Sequence, residues 1–396
     1  MNILNICFVC TKFDTSGERP WLTNELVGSL EHQGHKIDVL YTDWSCTQKD
    51  NIIKISDNVN LYVCSKSNYS SFGRFGKLLK WLSCSYRAGK MATRLHKKEN
   101  YDLVISFSPS VTDMFCVDRL VDKHKVKSFH ILWDFFPIHH HQIGMFSNKV
   151  ILKLSKYLEN RMLSKHDAVG LMSEKNIDFY RNNYPLINEQ RLLRIPVWGD
   201  QYEPKKSPFI DSLIEENCKY AIFGGQITKG RGVEYILEVA KNTSVDYIKY
   251  IIIGSGSDFD LISHQAEKLD NVLVLPPVAR DEYLYLVSKC HLGLIVTDPI
   301  VSVPTFPSKC IDYFTSMIPI ACHVEKSTDF GRIIQDEAAA GLASYGDDID
   351  GFLDNILTLI SSDESAQEMG KRGYSYYERN LTSGKIAELI YTNVGE

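Results

Sequence analysis

Along the chain, short apolar runs alternate with longer segments whose apolar residues recur every three or four positions. The opening run ILNICFVC is nearly unbroken, as a strand buried on both faces requires. After the polar loop TKFDTSGERP, Leu22, Leu26 and Leu30 share helical spacing and Gly34 supplies a stop. HKIDVLYTDW then predicts a second strand. The alternation continues through LYVC, a long helix from about 72 to 98, DLVISFS, HILWDFFP, AVGLMS and RLLRIPVW. Strands alternating with helices predict a parallel, doubly wound sheet.

GDQYEPKKSPF, residues 199–209, interrupts this rhythm with two prolines and several charges, and reads as a linker. A second alternating series follows: KYAIFGG, the helix VEYILEVAKN, YIKYIIIGSGS, NVLVLPPV, HLGLIVTD and IPIACHV. The expected organisation is an α/β chain of two Rossmann-like domains, 1–200 and 209–378, facing one cleft. A helical tail over 379–396 is expected to reach back over the first domain.

Composition narrows the function classes. The 396 residues are 44% hydrophobic and 23% charged, ordinary for a globular protein, and a net charge of −5 argues against a nucleic-acid binder. The ten cysteines have no disulfide rhythm, and most lie in apolar runs. Cys7 and Cys10 form C-x-x-C, but an offset of three on a strand points their side chains to opposite faces. Reduced thiols and the lack of a secretory signal predict a cytoplasmic protein. No apolar run approaches the ~20 residues that cross a bilayer.

Two stretches suit anions. FGGQITKGRG, residues 223–232, follows a strand and opens a helix. Gly224, Gly225, Gly230 and Gly232 permit close backbone approach, and Lys229 and Arg231 add cationic donors. PTFPSKCIDYF, residues 304–314, repeats the logic: Pro307 as a first-turn proline, Ser308 and Lys309 facing an anion, and Asp312 placed to accept two vicinal hydroxyls of a ribose. Each alone also reads as a capped turn. Together they match the two halves of a nucleoside diphosphate.

These stretches carry a resemblance. GQITKGRG (225–232), IIIGSGS (251–257) and PSKCIDYFTSMIP (307–319), with WDFFP (133–137) and IPVWGD (195–200), are similar to motifs of retaining GT-B glycosyltransferases. The closest likeness is to glycosyltransferase family 4, in its bacterial surface-polysaccharide branch. The resemblance implies a nucleotide-sugar donor, UDP-linked before GDP-linked, and no metal or other cofactor. Gly225, Lys229, Arg231, Phe306, Ser308 and Lys309 would then hold the donor, Asp312 its ribose, and the Pro277–Val278 segment its base. Lys229, Arg231 and Asp134 would be catalytic, the first two stabilising the leaving diphosphate. The acceptor would be a lipid-linked or growing saccharide at the inner membrane face.

Three positions depart from the family pattern: Pro304 replaces the first of an acid pair, Gln226 a loop Arg or Asn, and Trp133 a histidine. They keep open a non-catalytic partner subunit, and a sugar-nucleotide epimerase is a further alternative. In TSGERP (15–20), Gly17 would admit the transferring group; Glu18 and Arg19 are acceptor contacts or loop charges. Trp133 and His139 are acceptor or sugar candidates. Three consecutive histidines, 139–141, do not converge on one metal ion. Asp258–Asp260 and Asp348–Asp350 read as structural rather than as metal ligands, with Asp258 placed to cap a helix. Over 72–98, Phe75, Leu78, Leu79, Leu82 and Tyr86 form an apolar stripe flanked by Lys80, Arg87, Lys90, Arg94 and Lys98. That helix either packs on the core or sits on anionic lipid, with Trp81 at headgroup level.

Overall fold

The computed structural model describes residues 2–16, 20–43, 51–65, 73–142, 148–185, 191–299 and 301–395, with the side chains of 73–81 and 395 left out. Gly17, Glu18 and Arg19 therefore lie outside the described residues, as do the side chains of Phe75, Leu78, Leu79, Lys80 and Trp81. The chain divides into two compact units, Met1–Pro196 with Ser383–Glu396, and Val197–Thr382.

Among the described residues the first unit holds eight strands: β1 Asn5–Cys10, β2 Lys36–Asp43, β3 Asn51–Lys54, β4 Val59–Ser65, β5 Leu103–Phe107, β6 Lys127–Leu132, β7 Ala168–Leu171 and β8 Arg191–Arg194. Their order is β3-β4-β2-β1-β5-β6-β7-β8, parallel throughout except for the edge hairpin β3–β4. Five of the six β1 residues are buried, because helices cover both faces of a parallel sheet. Cys7 and Val9 pack under helix Gly73–Glu99 through Ala88, Ala92 and Leu95, a stripe at helical spacing. This settles one face of that helix as core. Its described apolar flank is partly occupied too, since Lys90 and Arg119 lie over the Tyr86 ring. Helix Ser383–Ile390 closes the unit on Leu22–His32, where Ser29 and Ser383 hydroxyls meet at 2.6 Å.

The second unit holds β9 Lys219–Gln226, β10 Ile248–Ser255, β11 Val272–Leu275, β12 Leu292–Val296, β13 Ile320–Val324 and β14 Gly341–Tyr345. All are parallel, in the order β11-β10-β9-β12-β13-β14, which is the Rossmann strand order. Helices Val233–Asn242 and Ile349–Ser361 seal one face with Ile236, Val239, Phe352 and Ile356. The stretch read as a linker lies along this unit: the Gly199 amide donates to the Leu381 carbonyl and Ser207 Oγ donates to Glu282, and Trp198, just ahead of it, is fully buried. Among the described residues no helix is long and apolar enough to cross a membrane.

Candidate functional site

In a doubly wound sheet, ligands bind beyond the strand C-termini where the order reverses. In the second unit that point lies between β9 and β12. The two strands pair only near their starts, Leu292 with Ala221 and Gly293 with Ile222. Beyond these pairs the loops that follow β9 and β12 border the opening. Gly232 caps helix Val233–Asn242 in the left-handed region, at φ 70°. A Cβ there would lie 3.0 Å from the Thr297 carbonyl oxygen, so the two loops touch at this glycine.

The deciding contact joins the two predicted anion stretches. Lys309, the first residue of helix Lys309–Thr315, runs back across Gly225 at the end of β9. A Cβ on Gly225 would meet Lys309 Cε at 2.9 Å and Nζ at 3.3 Å. The Lys309 ammonium sits 4.6 Å from the centre of the Phe223 ring. Burial, and then the nearby Arg231 cation, push the Lys309 pKa down to about 8. Arg231 is exposed and donates to Gln226 Oε1 at 3.5 Å, so the neutral residue at 226 serves as its acceptor. Lys229 is exposed in the same loop. A pair of cations at one opening, one of them partly desolvated, raises the local potential in favour of an anion.

Asp312 is also tethered, by a residue the sequence reading did not single out. Arg280 grips both its carboxylate oxygens, Nη1 to Oδ2 at 2.9 Å and Nη2 to Oδ1. A carboxylate has about four lone-pair sites, and this fork uses two, leaving two for a pair of hydroxyls. Val278 is partly buried two residues ahead of Arg280. Ser308 is exposed, and its hydroxyl caps no amide. Pro307 stands before the helix rather than in its first turn, and that helix is seven residues long. Phe306 is buried, with its ring edge-on to that of Phe330.

Pro304, at the missing-acid position, is buried in a loop braced from below. The fully buried Glu325 carboxylate accepts from the Thr305 amide at 2.8 Å and from Thr297 Oγ1. Burial raises its pKa above the usual carboxylate range. Its place directly after the apolar strand IACHV was the available signal. The glycines also differ from their first reading. Gly224 faces the Tyr283 hydroxyl, whose position leaves no room for a Cβ, so that glycine serves packing.

In the first unit, Trp133 and Asp134 follow β6. Both amides donate to Ser108 Oγ at 3.1 Å, which fixes the turn that presents the exposed Asp134. Trp133 is half-buried against Phe107. Below, the fully buried Glu159 carboxylate accepts from the Ser110 and Val111 amides at 2.7 and 2.9 Å, and burial lifts its pKa to about 7. His139 is partly buried in the short helix Ile138–Gln142. Among the described residues no group of three His, Cys, Asp or Glu side chains is placed to hold a metal ion. Asp348 caps its helix by accepting from the Gly351 amide, whereas Asp258 caps nothing and accepts from Ser257 Oγ instead. Gly225, Lys229, Arg231, Lys309 and Asp312 thus belong to the second unit, and Trp133, Asp134 and His139 to the first.

Residues 205–376 match the family described as glycosyl transferases group 1. That match lies wholly within the second unit and covers most of it. Solved structures share the fold over both units. Sucrose-phosphate synthase from Thermosynechococcus elongatus aligns with a TM-score of 0.75 at 12% identity, covering 98% of each chain. A trehalose-6-phosphate synthase studied for glycosyl transfer with retention aligns at 0.69 and 11%, again over 98% of each. HepE of Anabaena, solved with UDP, aligns at 0.65 and 11%, over 98% of this chain and 99% of its own. The shared fold is GT-B, with two Rossmann-like domains, and the domain match and the fold together support a GT-B glycosyltransferase. None of the curated proteins matches the sequence significantly.

Arg280 gives a direct test of how Asp312 is used. If the fork orients the carboxylate for two hydroxyls, Arg280→Ala should raise the donor KM by about fivefold, the worth of one modest hydrogen bond, with kcat nearly unchanged. Steady-state kinetics with saturating acceptor would read the split. A loss confined to kcat would remove Asp312 from donor binding.

Proposed function

We propose that the chain is a retaining, metal-independent glycosyltransferase. It moves a hexosyl or N-acetylhexosaminyl group from a UDP-sugar to a lipid-linked or growing saccharide in surface-polysaccharide synthesis. The observation that carries this reading is the crossing of Lys309 over Gly225 beside Arg231, which puts two cations at the switch point of the second sheet. The motif likeness of PSKCIDYF supports it, as does the UDP bound by one protein of the same fold.

Cleaving the anomeric bond leaves charge on the departing diphosphate. Lys309, Arg231 and Lys229 stabilise that charge from fixed positions, which lowers the barrier without a proton donor on the leaving group. Asp312, held by Arg280, accepts the ribose hydroxyls. In a same-face displacement the leaving phosphate takes the acceptor's proton while the acceptor oxygen bonds the anomeric carbon. Asp134, on its Ser108-braced turn, orients a sugar hydroxyl. Retention is the outcome studied for the trehalose-6-phosphate synthase of this fold.

The test is calorimetry with a panel of UDP- and GDP-sugars, then UDP release with and without membrane lipid extract, in EDTA. The expected result is binding of a UDP-sugar and acceptor-dependent UDP release that survives the chelator. No affinity for any nucleotide sugar would defeat the enzyme reading. Conversion of the donor without acceptor would point to an epimerase.

A further inference from the structure

Helix Lys149–Leu163 uses only part of its surface within the first unit. Glu159, Asn160, Met162 and Leu163 are buried, whereas Val150, Ile151, Leu154, Tyr157 and Leu158 stand in solvent. Spacings of three and four place Val150, Leu154, Tyr157 and Leu158 on one stripe, with Ile151 at its margin. Val150 is 76% exposed, Leu154 58% and Tyr157 55%, so the stripe is open over two turns rather than grazed by water. Single exposed apolar residues are ordinary, but a contiguous row of five marks a contact surface.

The charge beside the stripe says what the contact is. Lys149, Lys153 and Lys156 follow one another along one flank, and Arg161 continues the stripe itself. The only acid in the helix is Glu159, which is buried and spent on two backbone amides. The exposed surface therefore combines an apolar strip with cations alone. Acyl chains match the first and anionic headgroups the second, with Tyr157 suited to the boundary between them. The described part of helix Gly73–Glu99 offers less, since its Tyr86 ring already carries two cations.

We propose that helix Lys149–Leu163 docks the protein on an anionic phospholipid surface, lying in the plane of the headgroups. For its place in catalysis this rests on the transferase reading, because a lipid-linked acceptor lies on such a surface. The binding itself does not depend on that reading.

The test is co-sedimentation of the full chain with vesicles of phosphatidylcholine alone and of phosphatidylcholine with phosphatidylglycerol. The natural chain should sediment with the anionic vesicles and be released by salt. Ile151→Glu with Leu154→Glu should abolish sedimentation. Changing Lys149, Lys153 and Lys156 to Glu should weaken it by at least about 100-fold, since each basic residue contributes roughly a factor of five. Lys149, Ile151, Lys153 and Leu154 are exposed and Lys156 is half-buried, so unchanged thermal melting of both variants separates lost docking from lost fold. Absence of sedimentation with anionic vesicles overturns the proposal, and so does undiminished sedimentation of the Ile151/Leu154 variant. A dimer seen by size exclusion that the same variant dissociates, without vesicle binding, would assign the face to self-association instead. UDP release to a soluble saccharide acceptor reads the transferase assignment separately, and its failure would leave the vesicle result standing.

Discussion

Lys309→Ala should weaken UDP-sugar binding by about 100-fold, the worth of one charge-assisted hydrogen bond of ~3 kcal/mol to a phosphate. Calorimetry would measure it, and the fold should survive, because the side chain leaves the Phe223 ring and Gly225 without taking a buried partner with it. The pH dependence is more diagnostic than the loss itself. Burial and Arg231 hold the free lysine near 8, so it is charged below that pH and neutral above it. A diphosphate favours the charged form, and donor affinity should therefore fall as pH rises through about 8. Lys309→Arg keeps its charge across that range and should flatten the profile. Stability moves the other way. Between about 8 and the ordinary lysine range the unfolded chain holds more protons than the folded one, so raising pH there favours folding at this residue. Weaker binding together with an unchanged or higher melting temperature above pH 8 would mark a charge effect. Donor affinity in Lys309→Ala equal to that of the natural chain would place the diphosphate elsewhere.

The α/β architecture was legible because parallel strands buried on both faces are apolar runs, and the helices between them carry one apolar stripe. Two strands escaped for the converse reason. NIIK is an exposed edge hairpin, and GLASY contributes only small or half-buried side chains at the far edge of the second sheet. Within the site, local chemistry was readable and cross-chain pairing was not. A lysine after a proline–serine turn announces itself, but nothing near residue 312 says that Arg280, far back in sequence, will grip its carboxylate. Phe306 adds a packing contact that its motif position did not announce, since its ring lies buried against Phe330, 24 residues on. Helix Lys149–Leu163 illustrates a third limit. KVILKLSKYLENRML is apolar on two faces, and periodicity cannot tell which one is buried and which meets solvent.

Gly225→Ala should reproduce most of the Lys309→Ala loss without touching a charge. At φ 140° a side chain is strained whatever the space around it, and here the space is already taken by Lys309 Cε. Relief requires the lysine stem to shift, and a shift that lifts it off the end of β9 carries its ammonium away from Arg231 and out of the partly buried position that lowers its pKa. Donor affinity should fall by ~30-fold or more, for an interaction of about 2 kcal/mol. Melting temperature should drop as well, because a non-glycine residue in that conformation costs roughly 1–3 kcal/mol. A double-mutant cycle separates the two effects. If the alanine acts by displacing the lysine, Gly225→Ala in the Lys309→Ala background should reduce donor affinity no further, while its effect on stability persists. Additive losses in affinity would instead mean that the Gly225 backbone contacts the donor itself, and that the glycine was selected for the ligand rather than for the lysine lying across it.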